Sequence, residues 1–95
     1  MQIENNIVDK ALTILSVEKT LLDISKPTYD KVVAMLNKEY HCGFTDCYEH
    51  PEYLSATLKK LYGNAHNLIV EKIREQLEEF SYHKPISTFL EIINK

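Results

Sequence analysis

The sequence predicts an all-α fold, a compact bundle of about five helices in a single domain spanning residues 1–95. Apolar residues recur at intervals of three and four, which is the spacing of one helical face, and no segment shows the alternation typical of a strand. Proline and glycine separate these segments. With 44% hydrophobic and 26% charged residues, the chain has the composition of a globular protein with its own core.

The first predicted helix runs from Ile3 to Ile24 and is apolar over an unusually wide arc. Its apolar residues form two adjacent lines rather than one narrow stripe. One line contains Ile7, Ile14 and Leu21, the other contains Val8, Leu15 and Leu22, and Ala11 lies between them. We therefore expect this helix either to be central in the fold or to present its surplus apolar face to a second copy of the chain. A break at Ser16 is the alternative to one long helix.

Prolines mark the starts of the next two helices. Pro27 suits a first helical turn and disfavours helix at the residue before it, so we expect the second helix to run from there to about Tyr40. Pro51 opens the third helix in the same way. The predicted inner faces are Tyr29, Val32, Val33, Leu36 and Tyr40 in the second helix, and Leu54, Leu58 and Leu61 in the third.

A tight corner is predicted at Gly63 and Asn64, between the third and fourth helices. Gly63 can adopt the left-handed conformation that ends a helix, and the Asn64 side chain can accept from the first free amides of the next one. We expect the fourth helix over Ala65 to Phe80 and the fifth from Pro85. Their predicted inner faces are Ala65, Leu68, Ile69, Ile73, Leu77 and Phe80, and then Ile86, Phe89, Leu90 and Ile93.

Residues 41–50, HCGFTDCYEH, are predicted to form a loop that concentrates four possible metal ligands: His41, Cys42, Cys47 and His50. Thiolate and imidazole suit zinc, so a metal site is one hypothesis for this loop. Structural zinc sites usually take ligand pairs from separate segments, whereas His41 and Cys42 are adjacent and their side chains tend to diverge. The alternatives are two small buried thiols beside surface histidines, or a disulfide between Cys42 and Cys47.

The charge pattern argues against nucleic-acid binding. The net charge is −3, and neither half of the chain carries the concentrated basic patch that a polyanion requires. The corner at Gly63 also invites a helix-turn-helix interpretation. However, the outward residues of the following helix are mostly glutamates, which the phosphate backbone repels.

No assembled catalytic or nucleotide-binding motif is found in the sequence. The G-x-S-x-G, G-x-G-x-x-G and Walker patterns do not occur, and the glutamates of the fourth helix lack the E-x-x-H pairing of a diiron site. We therefore expect a protein that is not an enzyme and that has no cofactor. Residues 1–6 do not have the pattern of a signal peptide and no apolar run could span a membrane, so the expected compartment is the cytoplasm.

Four segments together resemble a known family. They are Leu21-Leu22-Asp23-Ile24, residues 46–52 (DCYEHPE), residues 58–65 (LKKLYGNA) and Val70-Glu71-Lys72-Ile73. On these segments the chain resembles the Nitrosopumilus output domains, which are small archaeal helical domains, over most of its length. The resemblance implies a stand-alone protein or an effector module of signal transduction, and it implies no catalytic residues.

The leading hypothesis is a non-enzymatic protein–protein interaction or signalling-output module that forms a homodimer through its first helix. Further apolar residues off the inner lines could enlarge the contact patch: Met35, Val70 and Ile92. The alternative is a metal-binding or redox-sensing protein that uses His41, Cys42, Cys47 and His50. A small-ligand carrier lined by tyrosines is a third hypothesis, with Tyr29, Tyr40 and Tyr62 as examples.

Overall fold

Long helices joined by short turns make up the fold. The computed structural model describes the backbone of residues 2–94 and the side chains of residues 7–94, so Ile3 of the predicted apolar pattern lies outside the described side chains. The helices are α1 (Gln2–Ile24), α2 (Lys26–Tyr40), α3 (Phe44–Cys47), α4 (Pro51–Tyr62), α5 (His66–Leu77) and α6 (Lys84–Ile93). Short 3₁₀ turns, Gly63–Ala65 and Glu78–Phe80, flank α5. The predicted all-α fold is confirmed, with the one-turn α3 added inside the predicted loop.

Local sequence signals set most of the helix boundaries. The Ser25 hydroxyl accepts a hydrogen bond from the Thr28 N–H at 3.1 Å and begins α2, where Pro27 occupies the first turn. His41 ends α2 in the left-handed conformation, with a φ of 54°. Prolines also occupy the first turns of α4 and α6. Because α1 continues through Ser16, the break considered from the sequence does not occur.

One cluster of buried side chains joins the helices, and α1 is central to it. This helix packs against α2, α3, α5 and α6. Its inward face contains Val17 and Leu21, but also Asp9, Thr13 and Thr20, each of them at most 4% exposed. The other helices supply the rest of the core from their apolar faces, including Leu36, Leu54, Leu58, Ile73, Leu77 and Ile93.

The predicted inner face of α5 is wrong in its first turn. Leu68 is 68% exposed and Ala65 is also exposed, whereas Val70, which was placed off the inner line, is 1% exposed. The reason is the geometry of the helix itself: at about 100° per residue, Val70 lies about 60° around α5 from the buried Ile73, whereas Leu68 lies about 140° away. The buried face of α5 consists of His66, Ile69, Val70, Ile73 and Leu77.

The corner between α4 and α5 forms at Gly63, but Asn64 does not cap α5. Gly63 has a φ of 56° and a ψ of −128°, and its N–H donates to the Lys59 carbonyl. No side-chain cap forms at the 3₁₀ turn or at the start of α5, so the predicted role of Asn64 is wrong. The His66 ring is hydrogen-bonded there instead, with Nδ1 3.0 Å from the Gly63 carbonyl oxygen. Since a carbonyl oxygen only accepts, Nδ1 is the donor.

Gly63→Ala is expected to lower the free energy of unfolding by about 1–2 kcal/mol, because a side chain is strained at a positive φ. The matched control is Gly43→Ala. Gly43 has a φ of −113°, and a Cβ there meets nothing within 4 Å, so we expect a loss of about 0.5 kcal/mol or less. Urea denaturation measures both changes, and equal losses would contradict the strain assigned to Gly63.

Candidate functional site

The side of α1 that points away from the core is apolar and exposed. Val8, Leu15 and Leu22 recur every seven residues and are 53%, 62% and 46% exposed. Ala11 is also exposed and lies between the first two. At 3.6 residues per turn these four side chains lie about half a turn around the helix from the buried Thr13. We call the surface formed by Val8, Ala11, Leu15 and Leu22 the outer α1 face.

Part of α1 has a polarity opposite to what folding alone favours, although Val17 and Leu21 share its buried side. Asp9, Thr13 and Thr20 occupy the buried side, while Leu15 and Leu22 face solvent. Burying a polar side chain costs free energy unless hydrogen bonds replace its contacts with water, and an exposed leucine forgoes the gain from burial. The helix therefore offers an apolar strip over Val8, Ala11 and Leu15, which Leu22 extends beyond the charged Glu18 and Lys19, and a partner can cover it.

The charges beside the outer α1 face largely compensate one another. Lys19 and Asp23 form an ion pair one turn apart within α1, with 3.2 Å between Nζ and Oδ2. Glu18 lies at the edge of the face and is half-buried. An apolar surface that has one internal ion pair and one further carboxylate at its edge suits another apolar protein surface. None of the helices within residues 2–94 has both the length and the apolar character that crossing a membrane requires.

Another exposed leucine, Leu68, has no exposed apolar neighbours further along its side of α5. It is 68% exposed, similar to Leu15. The residues that follow it on the same side of α5 are charged and exposed, namely Glu71, Lys72 and Glu75. Isolated exposed apolar residues are common on monomeric proteins. The outer α1 face therefore differs from Leu68 in having several exposed apolar residues on one side of the helix, not in the exposure of any one residue.

The predicted His/Cys cluster does not converge on a metal position. His41 is exposed at the end of α2, and Cys47 is 2% exposed at the end of α3. The His50 Nδ1 lies 3.1 Å from Glu52 Oε2, and the His50 ring stacks on Tyr53 with 4.7 Å between centroids. Within the described part of the chain, no three His, Cys, Asp or Glu side chains are arranged to hold a metal ion. The structure thus does not gather the set proposed from the sequence: His41, Cys42, Cys47 and His50.

The two thiols of this loop, in contrast, are close together. The Cys42 and Cys47 side chains lie within hydrogen-bonding range of each other, and both are free thiols. Burial raises the pKa of Cys47 from its ordinary value of 9.0 to about 12, and the neighbouring Cys42 adds to the shift. Burial, followed by the charge of Asp46, also raises the pKa of Cys42. Near neutral pH both groups are therefore protonated, and neither is an activated nucleophile.

Alkaline pH is expected to destabilise the fold through Cys47. The unfolded state loses this proton near pH 9.0, whereas the folded state keeps it to about pH 12. Between these values the folded state binds more protons, so the free energy of unfolding falls as the pH rises. Thermal melts at about pH 8 and about pH 10 measure the loss, which should be smaller in Cys47→Ala. Identical losses in the two proteins would contradict the raised pKa of Cys47.

A buried carboxylate, Asp9, and a partly exposed histidine, His83, form an ionisable pair that the sequence did not predict and that joins distant parts of the chain. Asp9 of α1 is 4% exposed and lies against His83, with 2.7 Å between Oδ1 and Nδ1. A carboxylate only accepts, so Nδ1 donates and the other ring nitrogen is free of this bond. The His83 ring also meets Phe80 and Tyr82 edge to face, at 6.1 Å and 4.4 Å between centroids. We interpret this hydrogen bond, which we call the buried tie, as one that holds α1 against the segment before α6.

The tyrosines considered as a ligand lining take part in separate contacts. Tyr29 packs against Phe44 with 5.6 Å between ring centroids, and Tyr40 stacks on Tyr53 at 4.2 Å. Tyr62 packs against the core, and its hydroxyl is buried. These contacts give the three tyrosines a packing role in the bundle.

The chain was compared with protein families, curated proteins and solved structures. No family model, curated protein or solved structure matches the chain. The resemblance to the Nitrosopumilus output domains therefore stays a prediction.

Proposed function

We propose that this chain is a non-enzymatic protein–protein interaction module whose contact surface is the outer α1 face. The observation that carries this proposal is that α1 leaves Leu15 and Leu22 exposed while it buries the polar side chains of Asp9 and Thr13. Covering the face gains about 25 cal/mol for each Å² of apolar surface removed from water. A protein partner fits better than a small ligand, because the outer side of a helix is convex and small-molecule sites are concave.

The proposed partner is a second copy of the chain. An apolar row that repeats every seven residues can pack against the same row on another helix, as in a coiled coil, and a two-fold axis pairs identical surfaces. The antiparallel arrangement centred on Leu15 sets Val8 opposite Leu22 of the partner subunit. A parallel arrangement would set Glu18 opposite Glu18 of the partner subunit, and opposed like charges are unfavourable. We therefore favour the antiparallel homodimer.

Light scattering at increasing protein concentration tests self-association. The apparent mass is expected to rise from that of the monomer toward twice that value, because dimer formation follows mass action. A mass that stays at the monomer value up to about 1 mM protein would overturn the homodimer, since any remaining affinity would be weaker than about 4 kcal/mol.

We further propose that the module acts in the cytoplasm as an output element of signal transduction. Support comes from the resemblance of residues 46–52 and 58–65 to the Nitrosopumilus output domains. The genes that neighbour this one provide a test, because a signalling output is expected beside a sensor or a receiver protein. Neighbours that all belong to an unrelated metabolic route would contradict this part of the proposal.

A further inference from the structure

The backbone of the cysteine loop turns back on itself and brings its ends together. His41 takes a left-handed conformation, and the Cys42 N–H reaches back to the Leu36 carbonyl at 3.4 Å. Beyond it, the Gly43 N–H donates to Asp46 Oδ2 at 3.2 Å, and the Asp46 N–H donates to the Gly43 carbonyl at 3.1 Å. These two hydrogen bonds close the first turn of α3, and Cys42 and Cys47 lie on either side of that turn.

The two thiols differ in access to solvent. Cys42 is partly exposed, whereas Cys47 is 2% exposed and lies among core side chains that include Thr13, Val17, Phe44 and Phe89. An incoming reagent can therefore reach Cys42 but not Cys47. Because the two side chains are within hydrogen-bonding range, Cys47 can reach whatever forms on the Cys42 sulfur.

We infer that Cys42 and Cys47 form a redox modification site, which a low-molecular-weight disulfide such as oxidised glutathione converts to an intramolecular disulfide. This inference is independent of the proposed dimer, because neither cysteine belongs to the outer α1 face. Cys42 is the thiol that reacts first, and Cys47 is the thiol that resolves the intermediate.

The reaction is a balanced exchange in two steps. The Cys42 thiol loses its proton to solvent, and its sulfur attacks one sulfur of oxidised glutathione and expels one glutathione thiolate. The Cys47 thiol then loses its proton, attacks the Cys42 sulfur of the mixed disulfide and expels the second glutathione thiolate. Each expelled glutathione thiolate takes up a proton from solvent. The two protein thiols are oxidised, and one glutathione disulfide is reduced to two thiols.

The environment of the two thiols determines the rate of this exchange. Since the pKa of each thiol is raised, only a small thiolate fraction exists near neutral pH, and the reduced form persists there. The rate of the first step is expected to increase about tenfold for each unit of pH while Cys42 remains mostly protonated. The mixed disulfide should not accumulate, because Cys47 is already in contact with Cys42.

Intact-mass analysis of the full chain, incubated with oxidised glutathione at about pH 8, tests the inference. The expected product is a monomeric chain that has lost two hydrogens and that reduced glutathione returns to the starting mass. Cys47→Ala is expected to stop at one bound glutathione on Cys42. Cys42→Ala is expected to stay unmodified while folded and to react once urea exposes Cys47.

Three results would overturn the inference. The first is a folded chain that keeps both thiols free while the urea-unfolded chain forms the disulfide. The second is a folded chain that stops at the mixed disulfide, and the third is a disulfide that joins two chains instead of two residues of one chain. Peptide mapping of the unsubstituted protein distinguishes all of these products, so the test holds even if a cysteine variant fails to fold.

Discussion

Leu15→Glu is expected to preserve the helical fold and to abolish dimerisation at micromolar concentration. Leu15 is 62% exposed, so a glutamate there stays in water in the monomer and leaves the core intact. In the proposed dimer it lies at the centre of the contact, where burying a carboxylate opposite a second one is strongly unfavourable. We expect the dissociation constant to rise at least about 100-fold, or about 2.7 kcal/mol. Sedimentation equilibrium measures the constant, and circular dichroism checks the fold.

Leu68→Glu provides the matched control for this variant. Leu68 is 68% exposed and lies on a helical exterior, but it belongs to α5 and is followed by charged residues on its side of the helix. The same chemical change there is expected to leave the dissociation constant unchanged within about twofold. If Leu68→Glu weakens association as much as Leu15→Glu, the contact is not the outer α1 face.

His83→Ala is expected to lower the free energy of unfolding by about 2 kcal/mol. The substitution removes the hydrogen bond to Asp9, whose side chain is 6% exposed and would remain buried without its donor. Hydrogen bonds to charged groups contribute about 1.5–3 kcal/mol, and the partial exposure of the His83 side chain, 29%, places this one below the top of that range. Urea denaturation with constant m-values measures the loss.

Lys26→Ala is the control for His83→Ala. Lys26 and Asp30 also form a close ion pair, 3.1 Å between Nζ and Oδ1, but their side chains are 72% and 58% exposed. We expect a loss of about 0.5 kcal/mol or less, because water replaces the contact. Asp9→Ala combined with His83→Ala should cost less than the two single losses together, since they share one hydrogen bond. Additive losses, or a His83→Ala loss no larger than that of Lys26→Ala, would contradict the buried tie.

The sequence determines most of the helical framework through local signals. Pro27, Pro51 and Pro85 each lie within one residue of an observed helix start, because proline fits the first turn regardless of tertiary contacts. The three-and-four spacing also predicts core residues in α2, α4, α5 and α6, such as Leu36 and Leu58. The predicted inner face is wrong in the first turn of α5, where Leu68 lies about 140° around the helix from the buried Ile73 and is exposed, whereas Val70 lies about 60° away and is buried.

The candidate site could be predicted only in part. The wide apolar arc of α1 indicated a surplus face, but periodicity does not show which side of such a helix turns inward. The structure buries Asp9 and Thr13 and leaves Leu15 outside, a choice that the long-range bond from Asp9 to His83 favours. Those two residues are 74 positions apart, and no local pattern relates them.

In the cysteine loop, too, residue spacing does not determine which side chains come together. Spacing alone allowed a metal site, a disulfide or two independent thiols. Which of these arrangements forms depends on two features of the fold. The left-handed backbone at His41 turns the loop, and the stacking of His50 on Tyr53 holds the His50 ring beside α4. Neither the conformation of His41 nor the stacking partner of His50 follows from residue spacing.

Hydroxyl-radical footprinting of the unmodified chain, at protein concentrations below and above the dissociation constant, tests the central claim most directly. Leu15 and Leu68 serve as internal probes, because they are the same residue type and have similar exposure, 62% and 68%. We predict that oxidation of Leu15 falls as the dimer forms while oxidation of Leu68 stays constant. Unchanged oxidation of Leu15 at a concentration where the mass has doubled would show that the chain associates through another surface.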